Sequence, residues 1–556
     1  MNAPKKNLLP APVIFPGDEP FWQASREGRL LIKHCPSCGG QHFYPRQHCP
    51  ICGHPETEWR EVSGRGTIYS FTRMARAARP TAPAVIELEG GLRLASVVVD
   101  ADVHALQIGD PVSLRFLPTE GDQRAPAFTT PAADAARQYS RQAMQALALE
   151  TARSQAVFER AAVIGSGHMG CGITLACLAA GLQVQLIDRS PEALQAGQAR
   201  ILAALQQDLE RGRLDASAHA DRVARLQTST ELQDVAQAEV IIEAIFEDLA
   251  IKQALFAELD TLAAPGALLA TNTSTLDVGA IASVTRRPDS VVGLHFFNPA
   301  NVMRLIEVIR APQTSPACLQ QARALATQLG KTPVVVGICD GFVGNRLMIR
   351  REREAARLLL EGALPQQIDR VLREFGLPMG TFELQDMAGG IALTHRARQR
   401  AGQRDWLIEQ LFERGRTGLR DGKGYYRYEP GKRTPLVDPE VTALIEQASV
   451  EAGLQRRAIA DREILARLIL PMINEAAKLI EEGMVERPSD IDLVWQLGYG
   501  WPDWKGGPVY HADHLGIAQV LQELQDLQAA HGERFEPAAL LRRLATSGQR
   551  LQDASN

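Results

Sequence analysis

A strand-like segment, Arg160 to Ile164, runs into GSGHMG, then into the apolar helical stretch CGITLACLAA, then through Gly181 into a second strand-like run, VQLID, ending at Asp188. A lone GxGxxG is weak evidence. Here the glycines follow a strand, open a helix and precede an acid 23 residues beyond Gly165, the order that a βαβ dinucleotide-binding unit requires. Gly165 is expected to make the turn, Gly167 to let backbone approach a pyrophosphate, and Gly170 to let helix pack close on strand, with the phosphates at the helix N-terminus. Asp188 is placed to accept the adenosine ribose hydroxyls and to repel a 2′-phosphate. That favours NAD over NADP, although Arg189 beside it works the other way.

Such a unit fills only part of 556 residues. At roughly 150 residues per domain, three or four domains are expected. Hydrophobic residues at 45% and charged residues at 22% rule out wholesale disorder. No uncharged apolar stretch approaches the roughly 18–20 residues that span a bilayer, and Met1 to Pro12 lacks a signal peptide's apolar segment and cleavage site. A cytoplasmic protein is expected. A net charge of −5 gives no overall attraction to nucleic acid or anionic membranes, so neither is expected as a partner.

Four of the eight cysteines form two CxxC pairs, Cys35 with Cys38 and Cys49 with Cys52. In a cytosolic chain such pairs read as metal before disulfide. Each sits on a tight turn, CPSCGG and CPICGH, where the Gly after the second Cys can take the positive φ that lets both thiolates face one point. Four thiolates satisfy tetrahedral zinc, and a closed site with no position for water is structural. A redox pair, a degenerate ribbon, or replacement of a ligand by His34, His42, His48 or His54 are the alternatives. From Trp59 to Phe116 short alternating runs such as TIYSFT, APAVIELE and LASVVVD are separated by Gly and Pro, the pattern of a small antiparallel barrel.

Together PFWQASREGRLLIKHCPSC, CPICG, EVSGRGTIYSFT and IGDPV resemble the DUF35 family, a rubredoxin-like zinc ribbon joined to an OB fold. Many ribbons and OB folds bind nucleic acid, but residues 1–117 carry 13 Lys+Arg against 11 Asp+Glu, too weak an excess for a groove that tracks phosphates. Arg73, Arg76 and Arg79 are candidates for coenzyme A phosphates or an acidic protein patch, against the plainer reading of a solvated loop.

Residues 118–157 turn Pro/Thr/Ala-rich and then Ala/Gln/Arg-rich, a linker followed by a connecting helix. Beyond the dinucleotide unit stand TNTSTL from Thr271, GLHFFNPANVMRLIEVI from Gly293 and DGFVGNRLM from Asp340. These segments, in their order and spacing, resemble 3-hydroxyacyl-CoA dehydrogenases. The resemblance implies His295 as general base and Glu307 as its partner, with Ser274 and Asn345 lining the substrate pocket. It also implies Glu247, Lys252, Asn272 and Asn298 near the nicotinamide and its ribose. The chemistry agrees. Oxidising a secondary alcohol needs a base for the hydroxyl proton, and an imidazole serves both directions near neutral pH. Glu307 lies in LIEVI, where a carboxylate is costly unless paired. A core histidine at 295 and a helix cap at Asn345 are the plainer alternatives.

Finally, EAARLLLEGALPQQIDRVLREFGLPMG from Glu354 aligns with EAAKLIEEGMVERPSDIDLVWQLGYGWP from Glu475. One helical unit is repeated. Single-copy members pair two such units across a dimer, so the duplication resembles the dehydrogenase half of bifunctional β-oxidation enzymes, with the DUF35 module where a hydratase half would stand. The expected fold is therefore multidomain: zinc ribbon and OB barrel (1–131), linker helix (132–158), α/β Rossmann domain (159–338), and two all-α domains (339–435 and 436–556). The expected function is NAD-dependent oxidation of (S)-3-hydroxyacyl-CoA, with structural zinc and a thiolase docked on the N-terminal module. The alternative is a non-catalytic acyl-CoA-binding scaffold for a thiolase.

Overall fold

The computed structural model describes residues 8–74, 81–152, 156–400 and 402–554, and the chain divides into two compact units. One runs to Tyr139 and takes in residues 372–377 and 503–505; the other holds the remainder.

In the first unit the helix Glu19–Arg26 leads into β1 (Leu30–His34), which pairs antiparallel with β2 (Gln41–His42) and β3 (Glu58–Val62). Five further strands close a barrel: β4 (Arg65–Phe71), β5 (Thr81–Leu88), β6 (Arg93–Val99), β7 (Pro111–Pro118) and β8 (Arg124–Thr129), in the order β4-β5-β6-β8-β7. Period-two alternation puts Ala82, Ala84, Ile86 and Leu88 of β5 inside, with Phe128 of β8 and Val98 of β6. The zinc ribbon, OB barrel, Rossmann and helical fold class expected from the sequence is the one observed. Of the three loop arginines, Arg76 and Arg79 lie outside the described residues. Arg73 donates Nε and Nη2 to the carbonyls of Val103 and His104 at 2.9 and 3.1 Å, so it ties down its own barrel.

A helix, Pro131–Thr151, follows the barrel; it ends short of the 132–158 expected for the connecting helix, and residues 156–158 are not helical. The second unit is then built on an eight-stranded sheet. Its strands are β9 (Arg160–Ile164), β10 (Gln183–Ile187), β11 (Leu226–Ser229), β12 (Val240–Glu243), β13 (Leu268–Thr271), β14 (Val291–Phe296), β15 (Leu305–Arg310) and β16 (Thr332–Gly337). Their order in space is β11-β10-β9-β12-β13-β14-β15-β16. From β11 to β14 neighbours are parallel, and β12 and β13 are buried at every residue, as central parallel strands are. β15 reverses direction and pairs antiparallel with β14. That reversal sets residue 295 directly opposite residue 307.

The two helical repeats follow, the first with the helices Phe342–Glu361, Pro365–Phe375 and Thr381–Ala388, the second with Asp461–Glu481, Pro488–Gly498 and Pro508–Leu515. Their long helices exchange ion pairs reciprocally. Glu354 and Glu361 of the first meet Arg467 of the second at 2.5 and 2.8 Å. Glu475 and Glu482 of the second meet Arg346 of the first at 2.7 Å each. Every partner lies 121 positions from its counterpart, so the contact is self-complementary, as across a two-fold dimer, although one chain makes it. Between the repeats, the Gly/Pro/Tyr loop holds a short 3-10 turn, Leu419–Asp421, and isolated bridges before the helix Pro439–Glu451. Among the described residues, no helix is long and apolar enough to cross a membrane.

Candidate active site

In the glycine loop after β9, two of the three glycines sit where a side chain is excluded. Gly165 adopts φ +103°, and a Cβ there would lie 2.6 Å from the carbonyl oxygen of Ala244. A Cβ on Gly170 would overlap the carbonyl oxygen of Gly165. Gly167 faces open space and caps the helix His168–Ala179 without a side chain, leaving the first-turn N–H groups for an anion. Asp188 follows β10 and accepts Ser166 N–H at 2.8 Å, Ser166 Oγ–H at 2.7 Å and Ser190 N–H at 3.1 Å. Burial alone would raise its pKa; these donors outweigh it and hold the carboxyl below its usual range. Arg189, which argued for NADP, is paired with Glu258 at 3.1 and 3.2 Å. This loop and acid fit NAD.

A second cluster forms where β12 and β13 end. Glu243, fully buried, meets the equally buried Lys252 Nζ at 2.5 Å and accepts Thr271 Oγ1–H at 2.6 Å. Lys252 also lies 3.3 Å from Glu247. Glu247 accepts Thr273 Oγ1–H at 2.7 Å, Ser274 N–H at 2.8 Å and Ser274 Oγ–H at 3.2 Å. Desolvation pushes its pKa up, but the Thr273 hydroxyl, the Lys252 charge and Ser274 N–H bring it below the usual value. Asn272 fixes the end of the neighbouring strand by accepting Phe296 N–H at 2.9 Å, and Asn298 is exposed just beyond that strand.

Across β14 and β15, His295 Nδ1 lies 2.8 Å from Glu307 Oε2, with Glu307 wholly buried and His295 nearly so. A carboxylate only accepts, so the proton of the neutral ring sits on Nδ1 and Nε2 keeps its lone pair. Glu307 Oε1 accepts Gly344 N–H at 2.9 Å, so both carboxylate oxygens are used. Phe297 and Phe342 pack on the imidazole at 4.6 and 5.8 Å between ring centres.

Asn345 does not cap its helix. The cap is Gly341, at φ +77°, and Asn345 sits inside the first turn of Phe342–Glu361, where its Oδ1 accepts Tyr499 O–H at 2.7 Å. Sequence reasoning missed Glu243, Thr273 and Tyr499. Their signals were a carboxylate ending the apolar run VIIE, the first hydroxyl of TNTST beyond Asn272, and the tyrosine of GYGWP.

In the other unit, Cys35, Cys38, Cys49 and Cys52 bring their sulfurs within 4.8 Å of one another. Gly39 and Gly53, after each pair, take φ +71° and +77°. The Cys35–Cys52 and Cys38–Cys49 Sγ separations are 3.7 and 3.8 Å. Tetrahedral zinc with Zn–S near 2.3 Å demands edges of about 3.8 Å, so the four thiolates fit structural zinc.

Comparison with known proteins places the segments that carry these residues in known domain families. Residues 160–339 match the family "3-hydroxyacyl-CoA dehydrogenase, NAD binding domain", and 341–428 and 464–555 match its C-terminal domain. Residues 22–58 match the "ChsH2, rubredoxin-like zinc ribbon domain" and 59–117 the "ChsH2, C-terminal OB-fold domain". A peroxisomal bifunctional enzyme of Danio rerio is 36% identical over 410 residues, 70% of this chain and 56% of that protein. The chain thus spans about half the length of the curated relatives it matches. The 3-hydroxybutyryl-CoA dehydrogenase of Escherichia coli K12 superposes with a TM-score of 0.61 at 30% identity, covering 71% of this chain and all of that one. The dehydrogenase part of multifunctional enzyme 1 from C. elegans gives 0.53 at 28% identity, covering 70% of this chain and 90% of that one. The chain belongs to the 3-hydroxyacyl-CoA dehydrogenase family, with a duplicated C-terminal domain and a ChsH2-type zinc ribbon and OB fold at its N-terminal end.

Proposed function

We propose that the protein oxidises (S)-3-hydroxyacyl-CoA to 3-oxoacyl-CoA with NAD in a β-oxidation-type sequence. The observation that carries this reading is the His295–Glu307 pair, 2.8 Å apart on adjacent antiparallel strands. His295 Nε2 takes the C3 hydroxyl proton; Glu307 holds the ring in the required tautomer and stabilises the imidazolium that results. Gly344 N–H steadies the carboxylate from its far side. NAD, when bound, supplies the hydride acceptor. Gly165 and Gly167 would let backbone approach its pyrophosphate while Gly170 lets the helix pack close, Asp188 would hold its adenosine ribose, and the Glu247–Lys252 cluster, with Asn272 and Asn298, would meet the nicotinamide end. Ser274 and Asn345 hold the substrate's oxygens.

The N-terminal module is, on this proposal, a docking site for a separately encoded thiolase. Its resemblance to DUF35 proteins, which work beside thiolase-fold enzymes, supports the idea, and so does the chemistry: thiolytic cleavage consumes 3-oxoacyl-CoA. Docking raises the effective concentration of that intermediate at its next site.

Loss of NADH absorbance on adding acetoacetyl-CoA tests the dehydrogenase reading in the reverse direction. Turnover is expected. Binding of acetoacetyl-CoA without NADH consumption would leave the acyl-CoA-binding scaffold as the better account.

A further inference from the structure

We infer that Tyr499, supplied by the second helical repeat, is a positioning residue that aims the Asn345 amide of the first repeat at a substrate carbonyl oxygen; this rests on the dehydrogenase reading above. Tyr499 follows the helix Pro488–Gly498. Its ring stacks on Trp495 at 4.5 Å and 21°, and meets the edge of Phe297 at 5.5 Å and 82°. Phe297 in turn packs on His295 at 4.6 Å. On a third side the ring lies against Gly344, where any Cβ would overlap it. These contacts leave the phenol little choice of direction, and its oxygen stands 2.7 Å from Asn345 Oδ1.

The direction of that hydrogen bond matters. Burial first, and then the neighbouring Glu307 charge, hold the Tyr499 pKa well above its ordinary value, so the hydroxyl keeps its proton through the neutral range. A hydroxyl donating to Oδ1 fixes which way round the amide lies, and the Nδ2 hydrogens then point away from Tyr499. A site that handles a 3-oxo group and a thioester needs a donor there, because both present only acceptors. Without Tyr499 the amide is free to flip and offer oxygen to oxygen.

The pair is made once. The residue matching Asn345 in the second repeat is Ala466, and the residue matching Tyr499 in the first is Gly376. Neither repeat holds both halves. The second copy has no amide of its own to offer and instead orients the amide of the first.

Tyr499→Phe in the full-length chain removes the donor and keeps the ring. The expected result is a fall in kcat for acetoacetyl-CoA reduction of about tenfold, less than the 10²–10³ typical of losing a donor that touches the reacting oxygen, with the KM for NADH unchanged. In an Asn345→Ala background the same change should cost nothing further, because its route of action is gone. Wild-type activity in Tyr499→Phe, or an equal loss in both backgrounds, would overturn the positioning role. An inactive wild type would instead sink the dehydrogenase reading and this inference with it.

Discussion

Asp369 and Asp492 occupy matching places in the two helical repeats and make the same bonds. Asp369 accepts the N–H groups of Phe382 and Glu383, each at 3.0 Å; Asp492 accepts those of Val509 and Tyr510 at 2.7 and 3.1 Å. Each carboxylate closes the first turn of the helix after its own, Thr381–Ala388 or Pro508–Leu515, where the preceding Gly380 or Gly507 has no side chain to cap with. A side chain at either glycine would collide with the aspartate. The duplication therefore extends to the polar skeleton of the repeat.

Burial pushes the Asp369 carboxyl up to about 7, against the opposing pull of Phe382 N–H and Tyr426 O–H. An unfolded aspartate titrates near about 3.9, so the folded state holds this proton more tightly. The stability it contributes is complete below about pH 4 and is lost as pH rises through about 7. Asp369→Asn does not titrate. Thermal melts at about pH 5 and 8 should show a larger fall for wild type than for Asp369→Asn; parallel falls would mean that Asp369 is already ionised at the lower pH.

Arg467 is fully buried between Glu354 and Glu361, whereas its counterpart Arg346 keeps 16% of its side chain exposed. Removing one member of a buried pair leaves the other charged and uncompensated, at a cost of about 3–5 kcal/mol. Arg467→Met should therefore lower the melting of the helical region substantially. Arg346→Met should lower it less, because solvent reaches Arg346 and one of its partners, Glu482. Equal melting of the two variants would show that burial does not rank these pairs.

What is legible in the sequence here is what backbone geometry demands of particular residue types. Gly165, Gly39 and Gly53 sit at positive φ, and Gly170 at a contact that excludes a side chain, so their spacing is readable. Glu307 is readable because an apolar strand cannot carry a lone carboxylate. Contacts made by packing leave no such trace. Ser274 meets Glu247 across 27 positions and Tyr499 meets Asn345 across 154, and neither separation encodes its contact. Asn345 resembles a cap because polar residues near helix starts often are; Gly341, which takes the left-handed conformation one turn earlier, is the residue that starts the helix.

Glu307 uses both oxygens, one for His295 and one for Gly344 N–H, and this predicts the outcome of Glu307→Gln. Gly344 N–H can only donate, so it claims the amide oxygen. The amide nitrogen then faces His295 Nδ1, which must accept, and the ring proton moves to Nε2. A ring protonated at Nε2 has no lone pair for the C3 hydroxyl. Oxidation should fall about 10²–10⁴-fold, close to the loss from His295→Ala, with NAD affinity kept. Turnover within about tenfold of wild type would show that the tautomer is not what Glu307 controls.

Zinc should matter to the N-terminal unit and not to hydride transfer. Cys35 and Cys49 are buried and Cys38 and Cys52 exposed, so the metal would close the ribbon from its surface, next to a sheet in which β2 has only two residues. A sheet that small has little apolar area to hold it, and metal-binding energy becomes folding energy. Cys35→Ser with Cys38→Ser, or removal of zinc from the wild type by a strong chelator, should lower the melting of this unit and abolish capture of a purified thiolase. NADH consumption with soluble acetoacetyl-CoA should continue, since His295, Glu307 and the glycine loop all belong to the second unit. Acid should hasten zinc release, because protons compete for the thiolates. Loss of dehydrogenase turnover while the helical region still melts as in wild type would put the ribbon at the active site and overturn its structural role.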